Sequence, residues 1–125
     1  MRSREEFFAA YLKTRSTPND DVFWAYEEMR KILERSAGDA IDVTLALIDA
    51  CETDEQLCYV AAGPVEDLLC AHAEIAFPIF ANASRGSPKV RFTLRSVILE
   101  ESDEVYPQWK ALLVEYGLWE AWHAE

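Results

Sequence analysis

Apolar residues recur every three or four positions through most of this chain, which is the spacing of one buried face of an α-helix. The first such stretch contains an aromatic pair, Phe7 and Phe8. It follows Ser3, which can form a capping box with Glu6. The sequence therefore predicts a first helix over about residues 4–14.

Two longer helices are predicted next. The segment 17–20, Thr-Pro-Asn-Asp, starts the second helix, and we expect Gly38 to end it and Asp39 to cap the third. The third helix, over about residues 40–50, is apolar over much of its circumference, which is typical of a central helix. The apolar positions of the second helix are Val22, Phe23, Tyr26, Met29, Ile32 and Leu33.

A junction with almost no loop is predicted at Gly63 and Pro64. A short helix opens at a capping box of Thr53 and Gln56, and Gly63 either leaves it with a positive φ or caps the helix that Pro64 begins. Because a proline inside a helix removes a backbone hydrogen bond, we expect a break or kink between residue 72 and Pro78. The helix after the junction carries a stripe that must be buried, at Val65, Leu68, Leu69 and His72.

The rest of the chain also favours helices. Residues 84–88, Ser-Arg-Gly-Ser-Pro, are predicted to form a loop in which Ser87 caps the next helix, and residues 102–107 lead into a last helix that ends before Gly117. The apolar positions that these two helices carry are Val90, Leu94, Val97 and Ile98 in the first and Trp109, Leu112, Leu113 and Tyr116 in the last.

Strand and hairpin signals are scarce, so the predicted fold class is all-α. We expect a single helical domain over residues 1–125. The expected architecture is an irregular array of about six or seven antiparallel helices, arranged as a bundle or a short α-superhelix.

The chain is strongly acidic, with 23 Asp and Glu against 12 Lys and Arg and a net charge of −11. A field of this sign opposes binding to DNA or to an anionic membrane and attracts a basic protein partner. Residues 2–6 mix bases and acids before any apolar core, and three cysteines give no disulfide pattern. We therefore expect a cytoplasmic protein.

The bases are concentrated in one segment. Residues 75–99 carry no acid and four bases, Arg85, Lys89, Arg91 and Arg95, whereas residues 1–74 have a net charge of −9 and residues 100–125 one of −6. This segment either pairs with acidic neighbours in the fold, which is the commoner situation, or binds an anion or RNA. The second interpretation is the weaker one, because no nucleic-acid motif accompanies it.

No catalytic or metal-binding motif is present in the sequence. Cys51, Cys58 and Cys70 lack the C-x-x-C spacing of a zinc site, and we expect them to be small buried hydrophobes. Cys70 and His72 are two residues apart on a helix and do not face each other, so they do not form a nucleophile pair. We therefore predict no enzymatic activity, no metal and no cofactor.

Four residues are candidates for contact with a protein partner. Glu66 and Asp67 follow Pro64, where they either complement the positive end of a helix or meet a basic partner. Trp119 and Trp122 lie in an acidic tail, where they either dock on the fold or form an exposed aromatic pair typical of a binding hot spot.

Three segments, 24–33, 41–50 and 59–69, resemble an uncharacterised family of small acidic bacterial helical proteins. The pattern is a Trp-rich helix, a Leu-Ile-Ala helix and an Ala-Gly-Pro-Leu-Glu-Asp-Leu-Leu corner. Here the corner spans residues 62–69, with Val65 in place of the first Leu. The resemblance implies a helical fold and a bacterial origin but no activity, and Glu66 and Asp67 stand at positions of its motif.

The leading hypothesis is a non-catalytic protein-binding domain, for example an immunity or inhibitor protein that neutralises a basic partner such as a toxin. One alternative is a structural or adaptor domain of a helical-repeat kind, in which the acidic surface serves solubility. A second alternative is an anion- or RNA-binding protein that uses residues 85–95. The sequence leaves the oligomeric state open.

Overall fold

The computed structural model describes residues 3–14 and 20–120, and these residues form helices and no strand. Helix α4, a π-helical turn and α5 follow one another without a loop, so the described residues contain seven separate helical stretches. The predicted all-α class with six or seven helices is confirmed. The elements are α1 (Arg4–Lys13), α2 (Asp20–Arg35), α3 (Ala37–Ala50), α4 (Asp54–Val60), the π-helical turn (Ala61–Val65), α5 (Glu66–Ala71), α6 (Ala73–Gly86), α7 (Pro88–Ser96) and α8 (Tyr106–Glu115).

The boundary between α2 and α3 differs from the prediction. Ser36 caps α3, with its hydroxyl accepting from the Asp39 N–H at 3.2 Å. Gly38 and Asp39 therefore lie inside the first turn of α3, and the predictions that Gly38 ends a helix and that Asp39 caps one are wrong. Serine is as good an N-cap as aspartate, and it comes three residues earlier. The predicted start at residues 17–19 lies outside the described residues.

Helix α3 is central, as its apolar circumference predicted. It packs against α2, α4, the π-helical turn, α5, α6 and α7. Its fully buried residues include Ile41, Leu47 and Ile48, which belong to one cluster of buried hydrophobic side chains. Consecutive helices also pack in pairs, α1 on α2 and α6 on α7.

Thr44, at the centre of α3, is fully buried, and its hydroxyl has no hydrogen-bond partner among the described residues. A buried hydroxyl without a partner costs about 1–3 kcal/mol. We expect Thr44→Val to raise the free energy of unfolding by about 1 kcal/mol, measured by urea denaturation. The matched control is Thr93→Val in α7. Thr93 is equally buried, but its hydroxyl donates to the Lys89 carbonyl at 2.7 Å, so this change should not stabilise the protein.

The second half of the chain contains less loop than predicted. Helix α6 continues to Gly86, so only Ser87 separates it from α7, and the predicted loop over 84–88 is wrong. Ser87 does cap α7, with its hydroxyl accepting from the Val90 N–H at 3.2 Å. Helix α7 ends at Ser96, so the prediction that this helix also carries Val97 and Ile98 is wrong, and Ile98 is 69% exposed.

The last helix and the start of the tail match the prediction. Helix α8 is followed by Gly117, which has a φ of 71°. Leu118 and Trp119 then pack against the core. No helix in the described parts of the chain combines the length and the apolar character needed to cross a membrane.

A cleft and an acidic face at the Gly63–Pro64 junction

Gly63 joins α4 to α5 with almost no loop. Its φ is −102° and its ψ −106°, which is not helical, so the chain turns here without a positive φ, one of the two expected roles of this glycine. The glycine allows a close approach instead. A Cβ at this position would lie 2.9 Å from the hydroxyl oxygen of Tyr11, inside van der Waals contact, so the Tyr11 side chain would have to shift. Helix α1 is thus packed directly against the junction.

Helix α5 is short but firmly packed. Leu68 and Leu69 are buried, as predicted. The helix ends at Ala71, and His72, with a φ of −135° and a ψ of 43°, breaks it before α6 begins. The predicted break between residue 72 and Pro78 is confirmed. The prediction that His72 continues the buried stripe is wrong, because the break turns it to the solvent.

A cleft of about 300 Å³ lies between α2 and the junction, and we call it the tyrosine cleft. Its volume is at the lower end of the range of about 300–1,000 Å³ that is usual for ligand pockets. Sequence reasoning missed this cleft, because its three tyrosines are far apart along the chain. The lining residues are Tyr11, Tyr26, Met29, Arg30, Leu33, Tyr59, Ala62, Gly63, Pro64 and Asp67.

Hydrogen bonds fix the direction of one hydroxyl in the cleft. The Thr14 hydroxyl donates its only proton to the Tyr11 carbonyl at 2.6 Å. The short contact between the Thr14 and Tyr59 hydroxyls therefore has Tyr59 as the donor. The oxygen of Tyr59 keeps lone pairs with which to accept a hydrogen bond from a ligand.

The Tyr11 side chain is almost completely buried, with 3% of the residue exposed. Burial raises the pKa of its hydroxyl far above the usual value, and Tyr59, Tyr26 and Asp67 raise it further. The hydroxyl therefore stays protonated. No hydrogen-bond partner for it is found among the described residues.

Asp67 contributes a carboxylate to the cleft. Burial raises the pKa of this group, and within residues 3–14 and 20–120 it forms no ion pair. The nearest cation in the cleft lining is Arg30, whose guanidinium lies 3.6 Å from the Glu34 carboxylate. The Arg30 side chain is 64% exposed, which places its charge at the outer rim.

Asp67 also belongs to a second feature, in which acids from two segments meet around Cys70. We call this group the acidic face, made of Glu66, Asp67, Glu100 and Asp103. Burial raises the pKa of the Cys70 thiol, and all four carboxylates raise it further. The pKa of Glu66 is raised by burial and then by Asp67 and Asp103.

The acidic face could not be located from the sequence. Glu66 and Asp67 were candidates, but Glu100 and Asp103 lie more than thirty residues further along the chain. Their position depends on the segment after α7, where an Asp103 carboxylate oxygen accepts from the Glu100 N–H at 2.7 Å. Only the general excess of acids indicated such a surface.

The three cysteines differ in their environments. Cys51 is buried and its thiol donates to the Leu47 carbonyl at 3.3 Å, and burial raises its pKa to about 11. Cys58 and Cys70 are exposed, so the prediction of three buried cysteines is wrong for these two. They lie on the outward sides of α4 and α5.

The predicted basic segment is largely engaged with the protein itself. Lys89 donates to the Asp49 carbonyl at 2.7 Å. Arg91 donates to the Ser84 carbonyl at 2.9 Å and lies over the Tyr116 ring. Arg95 binds the Glu120 carboxylate, with its Nε at 3.0 Å. Arg85 is exposed in the last turn of α6.

Trp119 is partly buried and packs edge-on against Trp109, with ring centroids 5.6 Å apart. The Lys110 ammonium lies 5.1 Å from the centroid of the Trp119 ring. Much of the aromatic surface of Trp119 is thus covered by α8. Trp122, its predicted companion, lies outside the described residues.

The raised pKa values change the expectation for Glu66 and Asp67. A helix dipole would lower both pKa values, whereas burial raises them here. We expect the double change Glu66→Gln and Asp67→Asn to raise the free energy of unfolding at pH 7 by less than about 1 kcal/mol, because Asp67 is exposed and Glu66 is only partly buried.

The pH dependence of this gain in unfolding free energy follows from the direction of the two pKa shifts. A carboxyl group with a raised pKa in the folded state destabilises the protein while it is ionised in both states. This cost disappears as the pH falls through the raised values to below the unfolded values of about 4. The melting temperatures of the parent protein and of the double variant, measured between pH 4 and 7, should therefore converge at the acidic end. A variant less stable than the parent at pH 7 would instead show that the dipole dominates.

Within the described ranges, no group of three or more His, Cys, Asp and Glu side chains is placed to hold a metal ion. The sequence model of a family described as "Family of unknown function (DUF6869)" matches residues 13–114. No curated protein and no solved structure matched the chain.

Proposed function

The chain belongs to this family of unknown function, and from its structure we propose a non-catalytic protein-binding domain that presents the acidic face to a basic partner. The observation that carries the proposal is the convergence of Glu66, Asp67, Glu100 and Asp103 around Cys70, where they raise the pKa of the thiol together. Among the described residues, none of these four carboxylates forms a salt bridge.

Such an arrangement is favourable for binding a cation. Like charges held close together raise the free energy of the unbound protein, and a lysine or arginine placed among them would lower it. The net charge of −11 would also speed the encounter with a basic protein, because the long-range field acts before contact. An immunity or inhibitor protein that covers a basic toxin is one form of this proposal.

The test begins with a basic protein encoded next to the gene. Its association with the purified chain is measured by surface plasmon resonance at several salt concentrations between about 50 and 300 mM. We expect the association rate to fall steeply with salt. We also expect the double change Glu66→Gln and Asp103→Asn to slow association and to flatten this dependence.

Two controls distinguish binding at the acidic face from attraction by the overall negative charge of the protein. The change of Glu27→Gln and Asp42→Asn removes the same number of carboxylates, from exposed positions of α2 and α3, and should have a smaller effect. An unrelated basic protein such as cytochrome c should bind weakly and be equally insensitive to both variants. Equal effects of the two double changes would contradict the proposal, as would a gene neighbourhood without any basic protein.

The alternatives predict other results. A structural or adaptor domain would show no tight basic partner. An anion- or RNA-binding protein would lose its binding when Arg85 and Lys89 are changed to Glu, with the fold intact.

A further inference from the structure

We propose that the tyrosine cleft receives the side chain of an arginine from the basic partner. The inference deepens the proposed function and rests on it, because the cleft adjoins the acidic face through Asp67. The cleft is a separate feature with its own chemistry, however, and it can be tested without the partner.

The polar atoms of the cleft fit a guanidinium group. Asp67 supplies a carboxylate without an ion pair among the described residues, and the Tyr59 hydroxyl, which donates to Thr14, has lone pairs left to accept. A guanidinium has five N–H donors and no acceptor, and it matches a carboxylate in a two-point contact.

The walls of the cleft fit the same group. The Tyr11 and Tyr59 rings are tilted against each other with centroids 5.4 Å apart, and Tyr26 lies on the opposite side, on α2. Aromatic faces attract a guanidinium and also accept its flat shape by stacking. Met29 and Leu33 offer apolar surface to the methylene groups of the side chain.

Tyr11 adds a further polar atom to the cleft. Only 3% of the residue is exposed, but its hydroxyl reaches the cleft surface, since Thr44 Oγ1 is the one buried side-chain atom without a partner among the described residues. Its oxygen faces the cleft next to Gly63, where an incoming N–H could donate to it.

Among the described residues, Arg30 is the one cation in the cleft lining, and its positive charge opposes the entry of an arginine. Its guanidinium lies 3.6 Å from the Glu34 carboxylate and the side chain is 64% exposed, so its charge is on the outer side of the cleft. Removing this charge should therefore improve binding. That prediction distinguishes an arginine from an anionic ligand, which Arg30 would attract.

The test uses N-acetyl-arginine methylamide, titrated into protein with ¹³C-labelled tyrosine rings and followed by NMR. We expect shifts confined to the Tyr11, Tyr26 and Tyr59 resonances. The control ligand is the citrulline analogue, which has nearly the same shape without the charge. It should bind at least about tenfold more weakly, the ratio that corresponds to one charge-assisted hydrogen bond.

Protein variants test whether the arginine derivative binds in the tyrosine cleft. Asp67→Asn should weaken binding of the arginine derivative at least about tenfold, and Arg30→Gln should strengthen it. Asp42→Asn removes the same charge from an exposed position of α3 outside the cleft and should change the affinity less than about twofold, because that charge is screened by solvent. Melting curves confirm that the variants are folded.

The proposal is overturned if the citrulline analogue binds as well as the arginine derivative, if Asp67→Asn and Asp42→Asn have equal effects, or if inorganic phosphate shifts the tyrosine resonances instead. These outcomes are independent of the partner experiment. A cleft that binds the arginine derivative in a protein without any basic partner would show that the cleft selects arginine, but it would remove both the proposed function and the assignment of that arginine to a partner.

Discussion

Replacing Trp109 with alanine is expected to cost about 3–5 kcal/mol of unfolding free energy, the range measured for removing a buried tryptophan. Trp109 is 2% exposed, and its indole N–H donates to the Leu94 carbonyl at 2.8 Å. Its ring also contacts Tyr106 and Trp119, with both centroids at 5.6 Å. One side chain thus attaches α8, α7 and the start of the tail to each other.

Urea denaturation measures this loss of unfolding free energy. Two related variants separate the contribution of the hydrogen bond from that of the packing. Trp109→Phe keeps much of the packing but removes the hydrogen-bond donor, so it should cost less than the alanine change. Trp119→Ala removes a partly buried ring of the same type and should cost clearly less than Trp109→Ala. A loss below about 1 kcal/mol for Trp109→Ala would show that α8 is not fixed by this residue.

Local signals in the sequence predicted the helices well. The two capping boxes form as expected at Ser3 and Thr53, and Ser87 caps α7. These signals act over three or four residues, so they can be recognised without knowledge of the fold. One boundary error occurred where two good caps compete, at Ser36 and Asp39, of which Ser36 forms the cap.

Burial was harder to predict than helix boundaries. Phe23 and Tyr26 were placed on the apolar stripe of α2, yet they are 49% and 40% exposed and stack on each other with centroids 5.6 Å apart. The stripe of α2 is wider than the surface that α1 and α3 cover. An apolar position shows that a side chain prefers burial, but only the fold decides whether a neighbour is present to bury it.

The candidate site was only partly predictable. Asp67 was selected from its position after a helix start, and it lies in both the cleft and the acidic face. Its partners could not be found in the same way. The tyrosines come from α1, α2 and α4, and Glu100 and Asp103 from the segment after α7, so they converge only through tertiary packing.

The same packing explains why the acidic face can hold carboxylates that repel one another. Leu68 and Leu69 anchor α5 in the core, while Asp67 and Cys70, on either side of them, face outward. Burial of each leucine contributes roughly 1.5–3 kcal/mol, which exceeds the repulsion between exposed carboxylates. The acidic face can therefore be kept in place without an internal cation.

Leu69→Ala is the second change with a large expected effect, a loss of about 2–5 kcal/mol in the free energy of unfolding. Leu69 is 1% exposed and belongs to the central cluster of buried side chains, and α5, in which it lies, packs against α3 and α6. The matched control is Cys70→Ala at the next position, where the side chain is exposed and the expected change is within about 0.5 kcal/mol.

Urea denaturation of the two variants tests whether α5 is held by its buried leucines or only by the chain on either side of it. If the junction at Gly63 and Pro64 positioned α5 by itself, emptying the Leu69 site would cost little. A loss below about 0.5 kcal/mol for Leu69→Ala would contradict the packing described here. A large loss for Leu69→Ala with none for Cys70→Ala would show that the core fixes the helix from which the acidic face projects.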